Sequence, residues 1–273
     1  MSESPQPPQR RRFSRSRAVA VNLAVAMGLL FVVTFLPPDN SLAEVQKSGV
    51  LRVCLPEAAP PLVTTDAAHP GYDVELLQQI AADLGVRLAI NRSPAIGADF
   101  NPRNWRLTRA QCQVIAGGVV DNAATRGFLQ LLPTEGSNGW ASMSRNDIMP
   151  QRGDAVAVFP GPSSLDRLAL SRFLRAEGLQ ILPVNSSGEL VAALASGQAK
   201  LAISDWLTLA SLDVPEARID WLSPSQLGHF QLAFGLWKGD ATLMRAMRES
   251  MGKLAVNGVQ DDIASRYKLP DSR

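Results

Sequence analysis

Gln113-Val-Ile-Ala-Gly-Gly-Val-Val-Asp-Asn-Ala-Ala-Thr-Arg126 begins as a short apolar strand and breaks at Gly117-Gly118. A glycine pair lets the backbone turn there, or lets a ligand come close to the main chain. Asp121 and Arg126 follow within a few residues. A strand that opens into a glycine loop with a guanidinium beyond it is an anion grip at the carboxyl edge of an open sheet. The same pattern also fits a solvated surface arginine, so the flanking elements have to decide.

Upstream, Val50 to Leu55 reads as a strand, followed by the loop Pro56-Glu-Ala-Ala-Pro-Pro61. Gly71-Tyr72-Asp73 opens a helix, with Asp73 as its expected N-cap. Val74, Leu77, Ile80, Ala81 and Leu84 recur at helical spacing, and Gly85 stops the helix. Residues 86–90 form the next strand. Strand–helix–strand units of this kind imply a parallel sheet. Residues 91–104 read as irregular, residues 105–111 as a short helix, and residues 128–133 and 139–144 as two extended pieces.

Downstream the rhythm repeats. Residues 155–159 read as a strand, Ser163 or Ser164 as the cap of a helix running to about Ala176, and residues 180–184 as a strand. Ser186 or Ser187 caps another helix, and the strand at 199–203 ends at Ser204-Asp205. Residues 206–211 read as helical, residues 230–237 as a strand, and residues 241–255 and 260–267 as helices. Two α/β units whose strand ends face each other would form a cleft, with Gly118, Asp121 and Arg126 on one wall and Ser163, Ser164 and Asp205 on the other.

The N-terminus reads as an address. Arg10, Arg11, Arg12, Arg15 and Arg17 precede an uncharged run from Ala18 to Leu36, which Pro37-Pro38 ends. With Ser41-Leu42-Ala43 as a small-residue site, cleavage is expected before Glu44. Arg10-Arg11-Arg12-Phe13 also resembles a twin-arginine signal, so the export route is Sec or twin-arginine. The competing reading is a retained membrane anchor, because the uncharged run would span about 28 Å at 1.5 Å per residue. Both place residues 44–273 outside the cytoplasm, in a periplasm. Losing residues 1–43 takes the formal charge from +2 to about −1, so the basic balance is no argument for nucleic-acid binding.

Cys54 and Cys112 both follow this segment. In an oxidising compartment they form a bridge or remain as two buried thiols. His69 and His229 stand alone without ligand spacing, so no metal and no cofactor is expected.

Taken in order, Leu51-Arg-Val, Gly71-Tyr-Asp-Val-Glu-Leu-Leu with Ile80-Ala-Ala-Asp-Leu-Gly-Val86, the stretch 113–126, Ala202-Ile-Ser-Asp205 and Trp237-Lys-Gly-Asp resemble the bacterial extracellular solute-binding proteins of family 3. The likeness spans nearly all of residues 47–270. It implies an α/β, type 2 periplasmic binding fold of two lobes joined by two crossing strands: residues 44–143 with 235–273, and residues 144–234. It also implies a non-enzymatic receptor for a small polar solute, such as an amino acid, that delivers it to the membrane permease of an ABC importer. Arg126 matches the family's carboxylate grip, Asp205 its ammonium partner, and Ser163 and Ser164 its carboxylate donors. The family's Thr-x-x-Arg spacing is altered, since Thr125 adjoins Arg126, and Asp121 intrudes beside the grip. The aromatic expected after the first strand is replaced by Ala58-Ala-Pro-Pro-Leu62.

Leu51-Arg-Val-Cys54 with Ala110-Gln-Cys112 resembles, more narrowly, the solute-binding-like proteins associated with periplasmic quinoprotein alcohol dehydrogenases. That likeness implies the Cys54–Cys112 disulfide and a rival role as an accessory protein that binds a partner dehydrogenase.

Overall fold

A computed structural model of the chain describes residues 12–33, 39–96, 102–145, 149–161, 165–212, 214–267 and 269. It separates into two units, residues 1–39 and 40–273. The first contains one helix, α1 (Arg12–Val33). No helix among the described residues is long and apolar enough to cross a membrane.

The second unit starts with α2 (Ser41–Ser48). Ser41 is buried, its hydroxyl lies 3.0 Å from that of Thr242, and it accepts the Leu243 amide at 3.3 Å. Val45, one turn on, is fully buried. The cleavage point expected before Glu44 therefore falls inside a docked helix, and the folded unit begins at Asn40.

The α/β reading holds. β1 (Val50–Leu55), α3 (Tyr72–Asp83) and β2 (Arg87–Arg92) form the expected unit, with β1 parallel to β2 and to β3 (Val114–Ile115). Asp73 is not the helix cap. Gly71 holds that position at φ +110°, so close to Leu62 that an added Cβ would lie 2.3 Å from its carbonyl oxygen. Only glycine fits such a contact at that φ. The short helix expected over residues 105–111 is not formed; a single turn of tighter helix, Pro102–Trp105, precedes that stretch.

The largest difference lies beyond α4 (Ala123–Phe128). The two extended pieces expected at 128–144 are one strand, β4 (Leu129–Arg145), of 17 residues. At about 3.3 Å per residue it spans roughly 56 Å. Its register shifts between Pro133 and Ser137, and this irregularity lets the strand pass from one half of the sheet to the other.

The second α/β series is β5 (Ala155–Val158), α5 (Arg167–Ala176), β6 (Gln180–Pro183), α6 (Ser187–Ala195), β7 (Leu201–Asp205) and α7 (Trp206–Ala210). Ser186 caps α6 as expected, accepting the Glu189 amide at 3.2 Å. The cap of α5 is Asp166 rather than Ser163 or Ser164; its carboxylate accepts the amides of Leu168 and Ala169 at 2.9 and 3.0 Å. β8 (Ala217–Trp221), α8 (Pro224–Leu227), β9 (His229–Trp237), α9 (Ala241–Val256) and α10 (Val259–Arg266) complete the unit.

The strand order is β2-β1-β3-β9-β4-β7-β5-β6, with β8 also on β4. β4 pairs antiparallel with β9 through Gly139, and from Trp140 onward with β7 and β8. The chain thus has the two-lobed type 2 periplasmic binding architecture, with β4 and β9 as its crossing strands. One buried apolar cluster runs from Val45, Leu77 and Phe234 through Trp140 and Leu207 to Ile203 and Leu174, so the core is continuous past the crossing.

Cys54 and Cys112 are joined by a disulfide with Cα atoms 5.6 Å apart. The pairing follows from β1 lying beside β3, two residues beyond Cys112. The bridge belongs to a small buried cluster with Trp105, Ile115 and Leu129, and Trp237 Nε1 donates to the Cys112 carbonyl at 2.7 Å.

Candidate functional site

The site lies where the ends of β1, β3, β5 and β7 meet. Its lobe-one floor is the Gly117–Gly118 loop after β3. Both glycines have positive φ, +86° and +103°, and a Cβ on Gly117 would meet Pro56 at 2.3 Å. The loop is tied from behind: the Gly117 amide donates to Asp73 Oδ2 at 2.7 Å. Asp73 is 3 % exposed, and its Oδ1 is buried without a partner among the described residues. Burial pushes this carboxyl up to about 7, against which the Gly117 and Gly118 amides work in part.

The lobe-two counterpart is Asp205, at the end of β7 and N-cap of α7. Its oxygens are occupied. Thr208 Oγ1 donates to Oδ2 at 2.6 Å, Asn138 Nδ2 to Oδ1 at 3.1 Å, and the Thr208 amide to Oδ1 at 3.2 Å. Burial raises its pKa and these bonds oppose the rise. Gly161 lies directly against it: an added Cβ would be 2.3 Å from Oδ2. The structure brings Gly118 and Asp205 together, but the space between them and Pro60, Leu62, Asn138 and Thr208 is about 10 Å³. That is about one water.

Outside this closed inner end the cleft opens into a cavity of about 580 Å³. Its lobe-one wall is Pro56, Glu57, Ala58, Pro60, Pro94 and Ile96; its lobe-two wall is Phe159, Gly161, Arg167, Ser187, Thr208 and Ser211. The volume lies within the range of small-molecule sites. Arg167 is half-buried at the first position of α5, donates from Nη2 to the Gly161 carbonyl at 3.2 Å, and keeps Nε buried without a partner among the described residues. Arg92 braces the opposite wall, donating to the carbonyls of Pro56, Glu57 and Thr64.

Arg126 and Asp121 line neither space. The Arg126 side chain is 69 % exposed and closes a two-bonded ion pair on Asp121, with Nη2 2.9 Å from Oδ2 and a second bond from Nε to Oδ1. Asp121 holds the guanidinium's pKa above its ordinary value. The local cause is helix phase. Asn122 caps α4 by accepting the Thr125 amide at 2.9 Å, so the family's Thr-x-x-Arg spacing falls on Asn122 and Thr125. Thr125 is fully buried, and Arg126, one step further round, faces out. Ser163 and Ser164 lie outside the described residues.

The sequence reading did not single out Asn138, Thr208, Phe159, Glu57 or Arg167. Thr208 stands three residues after Asp205, a capping spacing that could have revealed it. Among the described residues no group of three or more His, Cys, Asp or Glu side chains is placed to hold a metal ion. His69 and His229 lie outside the lining of both spaces.

No family model matches the sequence, and no curated protein matches it. Solved structures do match the fold. A mutant of ArgBP from T. maritima is 22 % identical, with a TM-score of 0.62 over 83 % of this chain and 98 % of that one. The ancestral amino acid-binding protein AncCDT-1, described as a precursor of cyclohexadienyl dehydratase, is 20 % identical, with a TM-score of 0.64 over 83 % and 99 %. The L-cystine solute receptor of Neisseria gonorrhoeae, in its unliganded open conformation, is 16 % identical, with a TM-score of 0.57 over 83 % and 95 %.

Proposed function

We propose that this protein is a non-enzymatic, exported solute receptor that takes up a small molecule between its lobes and passes it to the permease of an ABC importer. The observation that carries this reading is the cavity of about 580 Å³ walled by both lobes, beyond the ends of β1 and β5. A ligand touching both walls favours the closed arrangement by the contacts it adds there. The lobes we assign are residues 44–143 with 235–273, and 144–234, and the register shift between Pro133 and Ser137 is their hinge on β4. Gly118 and Asp205 shape the inner end, and Ser163 and Ser164 border the lobe-two wall in sequence. Arg126 reaches a ligand only after leaving Asp121. Residues 1–43 direct export to the periplasm or hold the protein at the inner membrane.

A thermal-shift screen of the purified protein against amino acids, polyamines and organic acids tests the reading. A ligand that stabilises the protein at [L] well above Kd raises the unfolding free energy by RT ln(1 + [L]/Kd). A flat response across the panel counts against a receptor.

One observation favours a second reading. Arg126 is engaged by Asp121, and Asp205 by Asn138 and Thr208, so the side chains expected to grip an amino acid are already satisfied. A protein that keeps the fold without the ligand would look this way. In that case its partner is a periplasmic quinoprotein dehydrogenase, and copurification with one, together with a flat screen, is the supporting result.

A further inference from the structure

We infer that the cleft takes an organic monocarboxylate with an apolar body, held at its carboxylate by Arg167. The inference rests on the receptor reading and assigns its ligand class.

The inner end cannot supply an ammonium site. Asp205 is 2 % exposed, both of its oxygens accept protein donors, and the space beside it is about 10 Å³. An α-amino group has no room there, and burying it beside a saturated carboxylate gains no new hydrogen bond. Recognition therefore falls to the outer cavity.

The chemistry of that cavity is lopsided. Pro56, Pro60, Pro94 and Ile96 on one wall face Phe159 on the other, which suits a flat apolar body. Among the described residues of the lining, Arg167 is the cation. Arg92, close behind the loop, is used up on the carbonyls of Pro56, Glu57 and Thr64. Arg167 makes one bond, to the Gly161 carbonyl, and no ion pair among the described residues. Asp166, its neighbour, is turned away to the amides of Leu168 and Ala169. With Nε buried and Nη2 bonded to the Gly161 carbonyl, the terminal end of the planar guanidinium, Nη1 with the second Nη2 hydrogen, is left for a carboxylate. Ser187 adds a hydroxyl to the same wall, while those of Thr208 and Ser211 are committed to Asp205 Oδ2 and to the Thr208 carbonyl. Glu57 stands exposed on the opposite wall, where solvent screens it. It disfavours a dianion such as a phosphate monoester more than a monoanion.

The probes are hydrocinnamate, its neutral amide hydrocinnamamide and L-phenylalanine, with benzoate and hexanoate as smaller and non-aromatic acids. They are titrated into the full chain by calorimetry, with thermal shift in parallel. The expected ranking is acid above amino acid above amide. Arg167→Gln weakens the acid about ten- to a hundredfold, the range of a lost charge-assisted bond. Arg126→Gln leaves it unchanged. The ranking on the unmodified protein needs no variant, and Arg167→Lys, which keeps the charge, is expected to retain part of the affinity.

Amino acids that bind where the acids do not would leave the receptor reading standing and overturn this one. So would acid binding that is lost in Arg126→Gln and kept in Arg167→Gln. If no acid binds, this inference falls; if no amino acid and no polyamine binds either, the receptor reading falls with it.

Discussion

Replacing Asp73 with asparagine should make the stability curves of the two proteins cross with pH. Asp73 is 3 % exposed, and burial raises its carboxyl from 3.8 to about 7. In the unfolded chain it titrates near its ordinary value. Below that value both states are protonated and the group exerts no pH-dependent effect. As pH rises towards 7 the unfolded chain ionises freely while the folded chain holds its proton, so stability falls. Above the folded value the loss is complete. A difference of about three units at 1.36 kcal/mol each puts the full loss at roughly 4 kcal/mol.

Asparagine can still accept the Gly117 amide through its oxygen, but it carries no charge to desolvate. Its amide group occupies the place of Oδ1, which has no partner, so it leaves buried donors unmet at a cost of roughly 1–3 kcal/mol. Asp73→Asn should therefore be the less stable protein near pH 4.5 and the more stable one near pH 8, by about 1–3 kcal/mol. Urea denaturation followed by tryptophan fluorescence, at several pH values from 4.5 to 8, measures this. The difference between the two proteins cancels the titration of Asp205, whose pKa is raised for the same reason, and of Glu75 and Asp83, whose pKa values are lowered. Parallel curves would show that the carboxyl is not desolvated as described, and the account of the Gly117 tether would fail with it.

Three further outcomes follow from contacts elsewhere. Gly161→Ala places a methyl group 2.3 Å from Asp205 Oδ2 and 2.9 Å from Thr208 Oγ1, at φ +63°. It should cost about 1–3 kcal/mol of stability by overpacking, measured as a drop in Tm; a neutral Tm would mean that Gly161 does not pack on Asp205 and Thr208 as described. Reducing the Cys54–Cys112 bridge releases a loop with a sequence separation of 58. In the chain-entropy model that costs about 4 kcal/mol, and an unchanged urea midpoint under reductant counts against the bridge in the purified protein. Arg126→Ala breaks an ion pair whose cation is 69 % exposed and screened by solvent, so Tm should hardly change; a clear drop would place Arg126 in a contact the structure does not show.

Much of the frame is legible in the sequence because it is periodic. Val74, Leu77, Ile80 and Ala81 share one helix face, and all four are buried in α3. Ser186 announces α6 through a local capping bond. The strand β4 is not legible, because Pro133, Gly136 and Gly139 interrupt the pattern of a single strand. The register shift there absorbs the interruption, and only the partner β9 makes the two pieces one. Asp73 misleads for a related reason. It has the composition of a cap, but the cap position goes to Gly71 because Leu62 leaves no room for a Cβ, and the carboxylate is free to reach a loop 44 residues away. Arg167 is hidden by the serines before it. Reading the helix from Ser163 or Ser164 places Arg167 inside the first turn, whereas the Asp166 cap makes it the first helical residue, beside the cavity.

The position of Asp205 at a strand end can be read from sequence, but its availability cannot. Whether a carboxylate binds a ligand depends on whether its lone pairs are already filled, and here they are filled by Asn138, which lies 67 residues away on the crossing strand. Asn138 also accepts the amides of Gly139 and Leu207, at 3.0 and 3.4 Å, so its own orientation is fixed from both sides. The inner end of the cleft is therefore a structural joint: it fastens the start of α7 to β4 next to the register shift. Any ligand that draws the lobes together has to act through the outer cavity, where Arg167 and Phe159 face the proline-lined wall. Loosening the joint without touching that cavity tests the division. Asn138→Ala removes one of the two donors to Asp205 Oδ1 and takes the side-chain acceptor from the amides of Gly139 and Leu207, and should cost about 1–3 kcal/mol of stability. It should leave the affinity of any cleft ligand within about threefold, a difference of less than 1 kcal/mol. A variant that keeps its Tm and loses its ligand would instead make Asn138 part of the binding site and return recognition to the inner end.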